Sequence, residues 1–121
     1  LTGTGQRPGT PLYMSPEQII GNYYIDNRTD VWAIGVMLYE LLCLEVPFKG
    51  RTVHQTFDQI IHETPVLPSL RRSKYLRRTI PSELETIAMR AMSKKPADRP
   101  SSINEVIDQI RSFRNNKLLI S

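Results

Sequence analysis

The sequence has almost no cysteine, and it lacks the segments that mark secreted or membrane proteins. Its single cysteine, Cys43, lies in an apolar run. One cysteine excludes a framework of disulfides and fits a reducing compartment. We find no signal peptide. The longest apolar run, residues 30–44, is shorter than the roughly 20 residues that a membrane span needs. We therefore expect a cytoplasmic protein, with the nucleus as an alternative, and no membrane partner.

The sequence contains little that indicates a binding site for nucleic acid or for a metal ion. The net charge is +4, and much of the positive excess lies between residues 71 and 78. This basic cluster has no aromatic interleaving beyond Tyr75 and no nucleic-acid motif, so we favour a solvated loop. A basic helical module that binds nucleic acid remains the alternative. His54 and His62 lie eight residues apart without a third ligand, so we expect no metal site.

A strongly apolar run is the main feature that the sequence does contain. Residues 30–44 read DVWAIGVMLYELLCL, with Asp30 and Glu40 as the charged positions. The apolar residues fall on every side of a helical wheel, which is typical of a helix buried inside a protein. We predict a central buried helix of about 22 Å. Asp30 would either cap its N-terminus or place a favourable charge near the positive end of the helix dipole, and Pro47 would stop the helix.

The rest of the chain reads as shorter helices joined by loops, with no convincing strand. We predict a helix over residues 16–20, with Ser15 and Gln18 as a capping box and its end at Gly21. A second capping box, Thr52 with Gln55, opens another helix, and residues 64–81 form a long loop. Further helices begin near Ser82, with favourable cations at Lys94 and Lys95, and near Ser102. The tail from Arg114 should fray. A chain of 121 residues supports one domain of the mainly α class.

Four short motifs follow one another along the chain. They are Gly9-Thr10-Pro11 with Tyr13-Met14-Ser15-Pro16-Glu17, Asp30-x-Trp32-x-x-Gly35, Pro47-Phe48, and Arg99-Pro100 before the last helix. In this order the motifs resemble the C-terminal lobe of a eukaryotic-type Ser/Thr protein kinase domain, without its β-rich N-terminal lobe. Ser15 stands where that family usually has alanine, a mild departure. The resemblance implies a partial domain over 1–121, with the end of the activation segment at 1–17, the central helix at 30–44 and C-terminal helices at 52–114.

The resemblance also implies structural roles for individual residues. Glu17 would form a buried ion pair with Arg99, whose planar fork can hold a carboxylate with two hydrogen bonds. Asp30 would hydrogen-bond the backbone of the catalytic loop. Trp32 and Gly35 would have structural roles within the central helix. Taken alone, Glu17 and Arg99 would read as surface charges in separate loops.

A second group of residues would face the substrate. Thr10, Pro11, Leu12 and Tyr13 match the segment that docks the substrate peptide, and Thr10 resembles Ser/Thr kinases more than Tyr kinases. Thr2 and Thr4 lie where activation-loop phosphorylation occurs in the family, and a phosphate there could pair with arginines. Their spacing departs from the commonest pattern, which would place the phosphorylated residue near Gln6.

The motifs that carry phosphoryl transfer are absent from these 121 residues. There is no Gly-rich loop, Val-Ala-Ile-Lys, His-Arg-Asp or Asp-Phe-Gly sequence, and all of them precede the end of the activation segment in the family. The chain starts at Leu1 without Met, so we expect a longer parent protein. The resemblance implies a parent that uses ATP and Mg²⁺ to phosphorylate a protein substrate, with this segment inactive alone and binding neither. The alternative is a pseudokinase or a truncated interaction scaffold. The expected partners are the protein substrate and the upstream part of the same domain.

Overall fold

The fold is built from helices packed around one long central helix. The computed structural model describes residues 11–21, 25–71 and 79–120, with side chains described as far as Asn116. No strand occurs in these ranges, which confirms the predicted mainly α class. No helix among them is long and apolar enough to span a membrane. The helices are α1 (Pro16–Ile20), α2 (Asn27–Cys43), α3 (Val53–His62), α4 (Pro68–Arg71), α5 (Ser82–Ala91) and α6 (Ile103–Ile120), with 3-10 turns at Pro11–Tyr13 and Pro96–Asp98.

Helix α2 carries the core, and α5 lies directly against it. A Cβ atom added to Gly35 would lie 2.8 Å from Ala91 Cβ and 2.9 Å from Met92 Cγ. Glycine therefore permits a closer approach of the two helices than any other residue would. Two buried clusters result, one on each side of this contact. The first includes Trp32, Val36, Tyr39, Cys43, Phe48, Ile60, Ile80, Ala88 and Met92, and the second Val31, Ile87, Ala91 and Val106.

The central helix does not begin at Asp30, and of the two roles predicted for Asp30 the N-cap is wrong, whereas a charge in the first turn agrees with the structure. The helix begins at Asn27, and the N-cap is Asp26, whose carboxylate accepts a hydrogen bond of 2.9 Å from the backbone N–H of Arg28. Asp26 has the extended backbone that an N-cap needs. Asp30 lies in the first turn and is exposed. The helix ends at Cys43, since Leu44 adopts the left-handed conformation with φ 63°.

The described part of the chain does not bury this helix on all of its faces. Met37, Leu41 and Leu44 are 43%, 72% and 57% exposed. Together with Glu40 they line an open groove of about 400 Å³. Within the described part of the chain, the other helices cover the opposite faces of α2 and leave this apolar stripe, which we call the α2 groove, open to solvent.

The capping box predicted at α1 is present, whereas the one predicted at α3 is only partly formed. Ser15 and Gln18 form the predicted capping box, and Gly21 ends α1 with φ 82°. At α3, Thr52 accepts a hydrogen bond of 3.1 Å from the backbone N–H of Gln55. The Gln55 side chain, however, accepts from Arg51 rather than from Thr52. The second half of this predicted box is therefore displaced by one residue.

Two segments are more helical than predicted. The loop over residues 64–81 contains α4, where Pro68 occupies the first helical position that suits its fixed φ. Arg71 anchors this turn by donating to the Val46 carbonyl at 2.9 Å and to Glu45 Oε1 at 3.1 Å. The tail does not fray at Arg114, because α6 continues to Ile120. No glycine or proline interrupts residues 103–120, so nothing local stops the helix.

Candidate functional site

The proposed docking residues lie on a short turn just before α1. Pro11, Leu12 and Tyr13 form a single 3-10 turn, closed by a hydrogen bond of 3.2 Å from Met14 N to Pro11 O. Pro11 is buried, Leu12 is half-buried, and Tyr13 is 41% exposed. The predicted docking residue Thr10 and the predicted phosphosites Thr2 and Thr4 lie outside the described residues. We call Pro11–Tyr13 the docking turn.

A side-chain hydrogen bond joins the docking turn to the central helix. The Tyr13 hydroxyl donates to Glu40 Oε1 at 2.6 Å. This hydrogen bond is the main reason why the pKa of Tyr13 lies above its usual value. Sequence reasoning missed Glu40 and treated it only as a break in the apolar run. The charge itself could have indicated a polar partner for Glu40, because a carboxylate on an apolar helix is costly unless it has a partner.

Behind the docking turn, Glu17 and Arg99 form a buried ion pair. Their side chains are 6% and 0% exposed. Arg99 Nη1 donates to Glu17 Oε2 at 2.7 Å, and Arg99 Nη2 donates to Glu17 Oε1 at 2.8 Å. Two parallel bonds of this kind fix both the distance and the orientation of the partners. The structure therefore places these two residues, 82 positions apart in the chain, in a bidentate contact.

The remaining donors of Arg99 bind backbone carbonyls. Its Nη1 also donates to Arg28 O at 2.9 Å, its Nη2 to Lys94 O at 3.2 Å, and its Nε to Ser93 O at 2.8 Å. All five N–H donors of the guanidinium thus have an acceptor. Arg99 therefore joins the start of α2, the end of α5 and, through Glu17, the first turn of α1.

The environment of Glu17 strongly favours its charged form. Burial by itself raises the pKa of Glu17, but hydrogen bonds from Arg99 and Thr29 and the charge of Arg99 outweigh it. The result is a pKa of about 2, well below the usual 4.5. The Thr29 hydroxyl donates to Glu17 Oε2 at 2.7 Å. The carboxylate therefore stays ionised throughout the physiological pH range.

Trp32 extends this network towards α3. The Arg99 guanidinium lies 5.1 Å from the centre of the Trp32 ring, and the Lys94 ammonium lies 5.5 Å from it. Trp32 and Phe48 are nearly parallel, with ring centres 6.4 Å apart. Lys94 Nζ lies 4.5 Å from the centre of the Phe48 ring and donates to Ile60 O at 2.5 Å. All three distances from a cation to a ring centre fall within the range of cation–π contacts.

Lys94 has a different role from the one its position suggested. It follows α5, where a cation would favour the C-terminal end of that helix. Instead its ammonium binds the carbonyl of Ile60 in the last turn of α3. Burial is the largest cause that lowers the pKa of Lys94, and Arg99 lowers it further, to about 8, although Glu63 acts in the opposite direction.

The remaining predicted structural residues lie apart from this network. Asp30 is exposed in the first turn of α2, and Gly35 lies in the contact between α2 and α5. Among the residues described, no group of three or more histidine, cysteine or carboxylate side chains could hold a metal ion. His54 and His62 are exposed. The described residues therefore include no such cluster for Mg²⁺.

Comparison with known proteins identifies the family. Over residues 3–111 the chain matches the protein kinase domain. It belongs to the protein kinase family. The chain is similar to serine/threonine-protein kinase PknD of Chlamydia trachomatis, with 37% identity over 116 residues, which cover 93% of this chain and 11% of that protein. This confirms the predicted membership, and the helices are those expected of a kinase C-terminal lobe.

Two other relatives carry the same description. Serine/threonine-protein kinase pkn3 of Myxococcus xanthus is 40% identical over 102 residues, which cover 84% of this chain and 18% of that protein. Serine/threonine-protein kinase Nek5 of Homo sapiens is 37% identical over 110 residues, which cover 89% of this chain and 14% of that protein. The kinase chain thus spans between 11% and 18% of the length of these relatives.

Proposed function

We propose that this chain is part of a serine/threonine kinase that transfers the γ-phosphate of ATP to a Ser or Thr of a protein substrate. In this proposal the segment supplies the peptide-docking surface and the scaffold of the C-terminal lobe. The observation that carries it is the Glu17–Arg99 pair, because it anchors the helix that directly follows the docking turn. The similarity to three serine/threonine kinases supports the same activity.

A docking surface must hold the substrate peptide in one place relative to the reacting groups. Small displacements of a bound substrate cost large factors in rate. The docking turn has three residues and a single backbone hydrogen bond of its own. The turn packs against α2 and α3, and α1, which follows it, is held by a pair that is almost completely buried. This arrangement suits a rigid platform for an extended peptide.

The groups that perform the chemistry would lie elsewhere in the parent protein. ATP and Mg²⁺ need a lysine on the phosphates, metal-binding side chains and a catalytic aspartate, and the motifs that supply them do not occur in this sequence. The 121-residue chain by itself should therefore transfer no phosphate. In the parent, the ATP site would be assembled from upstream residues.

The exposed α2 groove is an argument that the upstream part of the same domain is a binding partner of this segment. Its lining is apolar except for Glu40, and large exposed apolar patches mark surfaces that bind other protein. In the parent, upstream residues of the lobe would cover Met37, Leu41 and Leu44. Asp30, exposed at the start of the same helix, would then bind the backbone of the catalytic loop, as the family resemblance implies.

Two alternatives remain as outcomes of a test. A pseudokinase or truncated scaffold would keep the same docking surface and lack transfer. Nucleic-acid binding receives less support from the described part of the basic cluster, because the Arg71 guanidinium already binds Glu45 and the Val46 carbonyl. A cytoplasmic or nuclear location stays a prediction.

The test is a transfer assay on the parent protein with ATP, Mg²⁺ and matched peptides that offer Ser, Thr or Tyr. We expect phosphate on Ser and Thr peptides and none on Tyr peptides. Thr10→Ala should lower kcat/KM by about tenfold or more, since the acceptor is then misplaced. Thr64→Ala, at an exposed loop position, is the matched control and should change nothing. If the folded parent transfers no phosphate to any peptide, the result would favour the pseudokinase or truncated scaffold.

A further inference from the structure

Helix α3 has little apolar packing of its own. Of its ten residues, Thr56 and Ile60 are buried, whereas Val53 at its N-terminal end is 44% exposed. Burial stabilises a helix in proportion to the apolar area that is removed from water. Two buried side chains, one of them polar, contribute little by this measure, so the position of α3 depends on polar contacts as well.

The N-terminal half of α3 is held by the loop that precedes it. The backbone N–H of Gly50 donates to the Thr56 hydroxyl at 2.9 Å, and that of Lys49 donates to Gln59 Oε1 at 2.8 Å. Both donors directly follow Phe48, which is buried in the core. These contacts tie the first two turns of α3 to a fixed segment of the chain.

The C-terminal end of α3 is held by the side chain of Lys94. The last four carbonyls of a helix have no partner within it. Here the backbone N–H of Glu63 binds the carbonyl of Gln59 at 2.9 Å. The Lys94 ammonium donates to the carbonyl of Ile60 at 2.5 Å, with a longer contact of 3.5 Å to that of Gln59. A cation at this end of a helix also interacts favourably with the helix dipole.

Lys94 is itself held firmly by its surroundings. Its ammonium lies 4.5 Å from the centre of the Phe48 ring and 5.5 Å from that of the Trp32 ring. Its backbone carbonyl accepts a hydrogen bond of 3.2 Å from Arg99 Nη2, and Arg99 also binds Glu17 in the first turn of α1. Burial is the main cause that lowers the pKa of Lys94 to about 8, which leaves the ammonium largely charged at pH 7. Lys94 therefore connects the end of α3 with the arginine that anchors α1.

The position of α3 matters for the docking turn. Helix α3 packs against both the docking turn and α1, so a shift of α3 would displace a surface on which the turn rests. The turn closes with one backbone hydrogen bond, from Met14 N to Pro11 O, and the hydrogen-bond geometry of a short 3-10 segment is poor. The turn therefore relies on the helices that pack against it.

We propose that Lys94 is a positioning residue of the parent kinase, whose ammonium fixes the C-terminal end of α3 and, through α3, the docking turn. This inference rests on the proposed function, since it concerns how the docking surface is held. In this proposal Lys94 acts on substrate binding from a distance and makes no contact with the substrate.

The experiment compares four variants of the parent kinase with the wild type at pH 7. Lys94→Met removes the charge and the donor but keeps an unbranched stem beside the two rings, so the variant should fold. Lys94→Gln removes the charge alone and replaces the first variant if that one does not fold. Lys94→Arg keeps a cation at the same position. Lys95→Met is the matched control, because Lys95 is the next residue and is exposed.

Two readouts are taken from each protein. The first is amide hydrogen exchange of the peptides that carry residues 57–63 and 11–15, with residues 103–110 of α6 as the internal reference. The second is KM and kcat for a Ser/Thr peptide. Exchange reports whether α3 and the docking turn are held, and the division between KM and kcat reports whether peptide binding depends on it.

In Lys94→Met, residues 57–63 should exchange about tenfold faster, because a hydrogen bond from a charged group is lost. The docking turn should also exchange faster, and α6 should keep the wild-type rate. KM should rise by about two- to tenfold with little change in kcat. Lys94→Gln should show the same changes to a smaller degree. Lys94→Arg should lie closer to the wild type than Lys94→Met, and Lys95→Met should match the wild type.

Three outcomes would overturn the inference. Unchanged exchange of residues 57–63 without the Lys94 charge would show that the ammonium does not hold α3. An equal increase in α6 would show a general loss of stability in place of positioning. Faster exchange of α3 with an unchanged docking turn would remove the link to the substrate. If the wild-type parent transfers no phosphate, the proposed function fails, and exchange alone then decides whether Lys94 positions α3 and the turn.

Discussion

Removal of the Arg99 side chain is the sharpest test of the fold. Arg99→Ala leaves the Glu17 carboxylate buried without its cation and deprives three backbone carbonyls of a donor. Breaking one partner of a buried ion pair costs about 3–5 kcal/mol. A domain of some 150–250 residues loses about 2–4 °C in Tm per kcal/mol, so the Tm of the parent domain should fall by about 10 °C.

The assay is thermal unfolding of the parent domain, followed by circular dichroism, with two comparisons. Arg90→Ala is the matched control, because Arg90 pairs with Glu105 at 3.5 Å and both side chains are well exposed. Such a surface pair contributes about 0–1 kcal/mol. Replacing Arg99 and Glu17 together, by Met and Gln, should cost less than the sum of the single changes, since no buried charge is then left unpaired. An unchanged melting curve for Arg99→Ala would refute this reasoning.

Three further predictions follow from the same contacts. Because the pKa of Glu17 is about 2 when folded and 4.5 otherwise, its charge contributes about 3 kcal/mol above pH 4.5. This contribution should be lost as the pH falls towards 2, and urea unfolding of Glu17→Gln should lack this dependence. Gly35→Ala should destabilise by about 1–3 kcal/mol, because the new methyl overlaps Ala91; an unchanged urea midpoint would contradict it. Burial lowers the pKa of Lys94 to about 8 from 10.5, which disfavours its charged form in the fold. Relative to Lys94→Met, the wild type should therefore gain stability as the pH rises from 8 to 10.5. Denaturant unfolding of both proteins across that range measures the difference, and a flat or falling difference would contradict the prediction.

Features that depend on near neighbours in the chain could be predicted well from the sequence. Ser15 and Gln18 are three residues apart, so their capping box needs only one helical turn. The end of α1 at Gly21 follows from the left-handed backbone that glycine adopts easily. The start of α2 was missed because Asp26 and Asp30 are both plausible N-caps, and local chemistry does not choose between them.

Exposure of α2 could not be predicted from its composition. Its residues are apolar on all sides, and composition does not tell which side the other helices cover. The packing decides this: Gly35 lets α5 approach one face, while Met37 and Leu41 on another face stay open. The prediction that the tail frays from Arg114 is wrong for a local reason. No residue there stops a helix, and α6 continues to Ile120.

By itself, the sequence determined the helical class, most of the caps and, through the order of its motifs, the family. Only the tertiary structure decided which distant groups meet. Arg99 lies 82 residues from Glu17, Lys94 binds the end of α3 rather than α5, and Tyr13 reaches Glu40 on the central helix. The physical reason is range. Caps and periodicity act within a few residues of the chain, whereas an ion pair or a shared hydrogen bond depends on distances that exist only after the helices have packed.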